Sequence, residues 1–327
     1  MLEKIAVIGV GAWGINHVKI LSILKADGII GDLVVVDVIE DRARYVGRQY
    51  GVEWKTSVDD VIRDDGIVGA VVAIPTKYHY DVACRLIDAG IHLLVEKPIT
   101  GSASKALDLI DRARAANLVL MVGLLLRYSK ATQYVRNLYV DRGKELGEVI
   151  SIAAKRYNPP SRRASDISVV EDLAIHDIDL ARYIFGGVPK AVYAAMVKDV
   201  GRGQDHATVI VEYDHGEGTY RLLSESSRMA PQKYRSFEVT MERAIFLLDL
   251  SSHVVEAIYP DKREMPNLGP SNPLLDQDRN FIYSIMKKEK CLADATDGYN
   301  ALVVCEAIHK SISSGEKVWI DKRRLIL

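Results

Sequence analysis

The chain has 327 residues, with 43 Lys and Arg against 44 Asp and Glu and a formal net charge of −1. That length accommodates two domains, and the balanced charge carries no electrostatic footprint for nucleic acid or an anionic membrane. No apolar run reaches spanning length, the first residues read as a strand rather than a signal peptide, and three cysteines form no CxxC pair. The expectation is a cytoplasmic protein without a structural metal site.

The first strand, Lys4-Ile5-Ala6-Val7-Ile8, runs directly into Gly9-Val10-Gly11-Ala12-Trp13-Gly14. This is a G-x-G-x-x-G pattern: Gly9 for a tight turn, Gly11 for approach of backbone amides to a pyrophosphate, and Gly14 for close packing of helix on strand. Ala12 and Trp13 fill the variable positions of that loop. A helix-period segment follows (Ile15, Val18, Ile20, Leu21, Leu24), then a strand, Leu33-Val34-Val35-Val36, that ends on Asp37. An acid at that strand tip is placed to accept hydrogen bonds from a ribose diol and to repel a 2′-phosphate, which favours NAD over NADP. The plain alternative is an ordinary turn with Asp37 capping the next helix. Arg42 and Arg44 follow on that helix, where solvated charges are usual.

Strands and helices then alternate. The apolar run Val68 to Ile74 stops at Pro75-Thr76, a helix from Tyr80 to Ala89 ends on Gly90, and the run Ile91 to Val95 ends on Glu96-Lys97-Pro98. A central strand cannot continue through Pro98, so Glu96 and Lys97 lie at the carboxyl end of a strand, the edge where open α/β sheets bind ligands. A helix from Ser102 to Ala116 and a strand from Leu118 to Gly123 complete a doubly wound parallel sheet, an α/β Rossmann domain over residues 1–124.

From residue 125 the pattern changes to α+β. A helix from Lys130 to Asp141 precedes strands at Val149 to Tyr157, Ala191 to Lys198, Ala207 to Tyr213, Gly218 to Ser226, Tyr234 to Met241, Ala244 to Leu248 and Val254 to Tyr259. Their short connections predict hairpins and a largely antiparallel open sheet. Helices Leu275 to Lys288 and Gly298 to Ser314 and a strand at Val318 to Ile320 close a second domain, 125–327, for substrate binding and oligomerisation. One sheet face lacks helices, which predicts a homodimer or homotetramer through that face.

On a helix, Asp172 and His176 are i and i+4, with Asp179 near the same face. A carboxylate beside an imidazole orients the ring and stabilises its charged form, as a general base requires. A solvated acidic helix with a structural histidine accounts for the same spacing equally well.

Taken together, Gly9-x-Gly11-x-x-Gly14, Asp37, Pro75-Thr76 with His79, Glu96-Lys97-Pro98 and Asp172-x-x-x-His176 with Asp179 resemble the glucose-fructose oxidoreductase, inositol dehydrogenase and MocA family along the whole chain. The stretch from Ser168 to Asp179 and those at Asp297 to Ala301 and Gly315 to Lys317 look most like nucleotide-sugar 3-dehydrogenases, notably those acting on UDP-N-acetylglucosamine. The resemblance implies an NAD-dependent enzyme in which His176 takes the proton of a sugar secondary alcohol, Lys97 stabilises the developing alkoxide or relays the proton through the nicotinamide ribose, and Asp172 positions the pair. It implies cofactor contacts from Pro75, Thr76, His79, Glu96 and Lys97. Where such relatives carry Arg-Phe-Asn-Pro, this chain has Arg127-Tyr128-Ser129-Lys130, keeping Arg127 as a substrate contact. The basic run Lys155 to Arg163 adds Tyr157, with Arg156, Arg162 and Arg163 as a candidate diphosphate clamp, the plain alternative being a solvated loop or a subunit contact. The alternatives are a dehydrogenase of a free sugar or polyol such as inositol, and a non-catalytic NAD-binding regulator.

Overall fold

The computed structural model describes residues 2–160, 167–199 and 204–326. In the first part, β1 (Leu2–Ile8), β2 (Ile30–Val36), β3 (Glu53–Lys55), β4 (Ile67–Val72), β5 (His92–Val95) and β6 (Leu120–Val122) form a six-stranded sheet in the order β3-β2-β1-β4-β5-β6. Every pair in it is parallel. Helices α1 (Gly14–Ala26), α2 (Glu40–Tyr50), α3 (Val58–Ile62), α4 (His79–Asp88) and α5 (Ala103–Ala115) supply the crossovers. Apolar runs on the central strands are what burial on both faces demands, and residues 5–7, 33–35, 70–72 and 93–95 are all inaccessible. Strand order reverses between β1 and β4, which makes their carboxyl ends the switch point of a doubly wound sheet.

The second part holds β7 (Val149–Tyr157), β8 (Val188–Asp199), β9 (Gln204–His215), β10 (Gly218–Ser227), β11 (Tyr234–Met241), β12 (Ile245–Asp249), β13 (Val254–Ile258), β14 (Arg263–Glu264) and β15 (Val318–Trp319). They form a nine-stranded sheet in the order β14-β13-β12-β11-β7-β10-β9-β8-β15. It is antiparallel as expected, except that β10 runs parallel to β7. Alternation along β10 sets the faces: Tyr220, Leu222, Ser224 and Ser226 point inward and are buried, while Leu223 points outward. Helices α6 (Lys130–Leu146) and α7 (Ile175–Phe185) pack in this unit. Two inward tyrosines stop α7 against the sheet: Tyr213 donates to the Ile178 carbonyl at 3.3 Å and Tyr220 to that of Gly186 at 2.6 Å, their rings stacked 4.8 Å apart.

The chain divides differently from the sequence expectation at its far end. Residues 274–299 belong with 1–124, and the second unit is 125–273 with 300–327. Helix α8 (Pro273–Ile285) explains this, because its Phe281 and Ile282 are fully buried in the first unit. Gly69 of β4 makes the room: a Cβ there would meet Ile285 at 3.0 Å and Phe281 at 3.4 Å. Further on, the Val122 amide donates to the Ala293 carbonyl at 3.0 Å, and helix α9 (Ala295–Ser314) begins beside β6. Such contacts join segments far apart in sequence, so no local pattern announces them.

A polar cross-link fixes α8 to α1. His17 is inaccessible, with Nδ1 2.9 Å from Asp278 Oδ2 and Nε2 3.2 Å from Glu96 Oε1. Both nitrogens face carboxylates, whose negative charge favours the doubly protonated imidazolium. Burial works against that charge, but Asp278 and then Glu96 outweigh it and raise the pKa from 6.5 to about 10. Asp278 itself is pushed up, because its burial outweighs the pull of His17; in Glu96 burial is again the largest cause, but His17, Trp13 and Lys97 together outweigh it and the carboxyl is lowered.

His17→Ala leaves two buried carboxylates without their cation and should cost about 3–5 kcal/mol in chemical denaturation. Adding Asp278→Asn should recover part of it. Folding raises the His17 pKa, so its contribution is full below pH 6.5 and fades as pH climbs to about 10. Wild type should therefore lose more stability than His17→Ala across that window; parallel pH profiles would refute a buried imidazolium.

Candidate active site

The cofactor half lies within the first unit. Gly9, at φ +87°, turns the chain out of β1, and a Cβ there would strike Ala73 O at 2.7 Å. At Gly14 a Cβ would sit 1.8 Å from Gly9 O, so only glycine lets α1 start against the strand. Gly11 differs, since a Cβ there meets nothing closer than 4.0 Å. Its open side fits a pyrophosphate approaching the backbone. Ala12 and Trp13 are exposed in the same loop, and Trp13 caps α1 without a side-chain bond, leaving first-turn amides to an anion. Asp37 at the end of β2 is buried and accepts from Val10 N and Ile39 N, each at 3.0 Å. Arg42 grips it bidentately at 2.8 Å on both bonds. These residues fit NAD.

At the neighbouring strand ends, Pro75 is exposed and Thr76 buried at the start of a short 3-10 turn. His79 departs from its expected role. It is buried, with Nε2 2.8 Å from the Ile74 carbonyl and Nδ1 2.9 Å from that of Pro98. Burial lowers its pKa, so the ring is neutral and donates to one carbonyl at a time. Both nitrogens face backbone rather than a ligand, and His79 braces the two strand ends. Glu96 is likewise turned inward to His17, and its Oε2 accepts from the Lys97 amide at 3.2 Å. Gly123 is required beside it, because a Cβ would stand 2.6 Å from the Glu96 carboxylate. Lys97 is partly exposed on this support.

The residues expected to meet a substrate lie within the second unit. Asp172 is not on an α-helix: Val170–Ala174 is a π-helical turn, and α7 begins at Ile175. The simple i, i+4 relation to His176 is thereby altered, and single π turns recur at functional sites. His176 occupies the first turn of α7 and is largely buried. The neighbouring acids are engaged elsewhere. Asp177 takes Arg156 at 2.6 Å and the Ser224 hydroxyl at 2.9 Å; Asp179 takes Arg127 at 2.5 Å.

Three substrate contacts expected from the sequence are therefore corrected. Arg127, expected to touch the substrate, and Arg156, expected in a diphosphate clamp, are instead buried ion-pair partners of α7. Tyr157 follows Arg156 on β7 and so points to the opposite face, where its hydroxyl donates to Glu225 at 2.7 Å. Arg162 and Arg163 lie outside the described residues. Sequence reasoning missed His17, Asp278 and Gly123, and it missed Arg228, which holds Asp205 at 2.6 Å and approaches Asp172 at 3.8 Å. Of these only His17, a polar residue inside the apolar stripe of α1, left a local signal.

A model of the oxidoreductase family with an NAD-binding Rossmann fold matches residues 3–124, and the Gfo/Idh/MocA C-terminal domain matches residues 139–247. The chain belongs to the Gfo/Idh/MocA family of oxidoreductases. It is 27% identical over 319 residues to a UDP-N-acetylglucosamine 3-dehydrogenase of Acidithiobacillus ferrooxidans, covering 95% of this chain and 97% of that one. The solved structure of that enzyme superposes with a TM-score of 0.84, covering 96% of this chain and 99% of that chain at 25% identity. An inositol 2-dehydrogenase of Rhizobium meliloti is 25% identical over 335 residues, 98% of this chain and 100% of its own. A levoglucosan dehydrogenase solved with NADH and L-sorbose shares the fold, with a TM-score of 0.85 at 18% identity over 98% of this chain and 99% of that one. As a Gfo/Idh/MocA protein the chain is an NAD-binding sugar or polyol dehydrogenase, and no helix among its described residues is long and apolar enough to cross a membrane.

The glycines separate binding from folding. Gly11→Ala should keep the thermal midpoint of wild type while NAD affinity, measured by fluorescence or calorimetry, falls steeply. Gly14→Ala should lower the midpoint itself. Equal NAD affinity in wild type and Gly11→Ala would remove the pyrophosphate from this loop.

Proposed function

We propose that this enzyme oxidises a secondary alcohol of a nucleotide sugar, such as the 3-hydroxyl of UDP-N-acetylglucosamine. The observation that carries the reading is the sorting of ionisable groups on α7. Buried arginines hold Asp177 and Asp179, which leaves His176, with Asp172 before it, as the group suited to moving a proton. The full-length similarity to the Acidithiobacillus enzyme supports the substrate. NAD, when bound, supplies the hydride acceptor. His176 accepts the hydroxyl proton, Asp172 favours the protonated ring, and the Lys97 ammonium stabilises negative charge on the substrate oxygen. Near-equal similarity to inositol dehydrogenases keeps a free polyol as the second reading.

We further propose that the enzyme acts in the cytoplasm, where the thiols of Cys84, Cys291 and Cys305 stay reduced. Two copies would associate through the outer face of the nine-stranded sheet. One register row there runs Leu247, Glu238, Ala153, Leu223, Ile210, Tyr193, and Val197 and Trp319 are more than 60% exposed nearby. Light scattering should return the mass of a dimer or tetramer, and a monomer at micromolar concentration would exclude the association.

Absorbance of reduced nicotinamide tests the reaction against a panel of UDP-sugars, free sugars and inositols. Turnover should be highest with a UDP-sugar. His176→Ala and Lys97→Met should each lower kcat on the order of 10²–10⁴-fold while NAD binding is retained. Full activity in His176→Ala would move the base elsewhere, and turnover of inositol alone would establish the polyol reading.

A further inference from the structure

Register places Arg235 of β11, Arg156 of β7 and Ser226 of β10 side by side in one row, on the inward face that Arg156 uses to reach Asp177 of α7. Among the described residues of this region three carboxylates, Asp172, Asp177 and Asp205, meet three guanidiniums, those of Arg156, Arg228 and Arg235. Their distribution does not balance. Arg156 takes Asp177 at 2.6 Å, while Arg228 takes Asp205 at 2.6 Å and approaches Asp172 at 3.8 Å, serving two carboxylates. Arg235 has no carboxylate within ion-pair distance among the described residues; Nη2 donates to the Asn158 side-chain oxygen at 3.2 Å. A guanidinium has five N–H donors, and among the described residues this is the one side-chain bond that Arg235 makes.

We propose that Arg235 recognises an oxyanion carried by the sugar substrate: the phosphoryl group of a sugar phosphate or nucleotide sugar, or the carboxylate of a uronate. The inference rests on the reading above that a sugar binds in this unit, and it names what that sugar must carry. Arg235 is partly buried, so its charge is desolvated yet still open to a ligand. Burial, and then the like charge of Arg156, draws its pKa down to about 10, as befits a cation short of compensation. Asp177 and Asp172 act on it electrostatically, which ties it to the acids flanking His176. Ser226 Oγ and Arg156 Nη1, both buried without a protein partner among the described residues, lie in the same row. An oxyanion arriving at Arg235 gains a bidentate, charge-assisted contact that a neutral polyol cannot make.

The test compares wild type, Arg235→Gln and Arg235→Lys on glucose 6-phosphate, UDP-N-acetylglucosamine, glucuronate and myo-inositol. With whichever anionic substrate is used, Arg235→Gln should raise KM about 10- to 100-fold with little change in kcat, and Arg235→Lys should recover part of the loss. The ratio of kcat/KM for that substrate over inositol should fall accordingly. The anion that shows this shift identifies the source. Equal losses on charged and neutral substrates, or no loss, would overturn the proposal while leaving the dehydrogenase reading intact. Should no sugar reduce NAD, the dehydrogenase reading fails, and calorimetry with inorganic pyrophosphate at saturating NADH decides Arg235 alone. Weaker binding to Arg235→Gln upholds the oxyanion site, and equal binding refutes it.

Discussion

His17 stands where α1, α8 and the end of β5 converge, and its imidazolium bonds to Asp278 on one side and Glu96 on the other. Apolar packing is non-directional; Val18, Leu21 and Leu24 would hold α1 on the sheet without setting its position along its own axis. A bond at each ring nitrogen does set it. The consequence reaches the cofactor loop, because the amides at the start of α1 lie one turn from His17, and it reaches Lys97, whose amide is held by the same Glu96 carboxylate. Burying three ionisable groups is expensive unless each satisfies the others, so removing any member exposes the cost of the rest. Gly123 belongs to this arrangement too, since any side chain there would displace Glu96.

The second unit applies the same physics to a different end. Helix α7 opens with an acid-rich stretch that would repel itself if left unpaired. Arg127 from the turn after β6 and Arg156 from β7 neutralise Asp179 and Asp177, while Arg228 beyond β10 anchors Asp205, whose other oxygen accepts from the Val169 amide at 2.9 Å. That last bond pins the chain immediately before the π-helical turn. The turn then carries Asp172 past a widened ring of backbone bonds before α7 begins at Ile175. Tyr183 adds weight on the far side, its ring 4.7 Å from the guanidiniums of both Arg127 and Arg136. His176 thus lies in a helix whose orientation is fixed by charge pairs, with its neighbours' charges neutralised.

Features written locally were legible from sequence. Periodicity and turn residues yielded both sheets, the glycine loop, the acid at the end of β2 and the strand end at Glu96-Lys97-Pro98, because each depends on neighbours in the chain. Partnership was not legible. A buried arginine and a ligand-binding arginine look alike in a sequence; Arg156 sits in a run of basic residues and reads as a clamp until the strand register turns it toward Asp177. Tyr157 failed for the complementary reason, since alternation puts it on the other face from its neighbour. Return of α8 to the first unit was hidden because Gly69, Phe281 and Asp278 declare their purpose only together. The π-helical turn also leaves no mark, as its residues suit an ordinary helix equally well.

Asp37 shows how pairing bears on cofactor choice. Its carboxylate already receives four donors, from Val10 N, Ile39 N and two nitrogens of Arg42. A carboxylate offers about four lone-pair positions, so a ribose diol binding here would have to take the place of Arg42. That exchange is feasible because the Arg42 side chain is 41% exposed and can turn to water, while a diol replaces its two bonds to the buried Asp37 carboxylate. Charge repulsion alone is a poor account of selection against a 2′-phosphate here, since Arg42 offsets much of the charge on Asp37. The donor pattern is the stronger reason. An ionised carboxylate only accepts, a ribose hydroxyl donates, and a fully ionised phosphate has no proton to offer; Asp37 can therefore complete its hydrogen bonds with the diol of NAD and not with the phosphate of NADP.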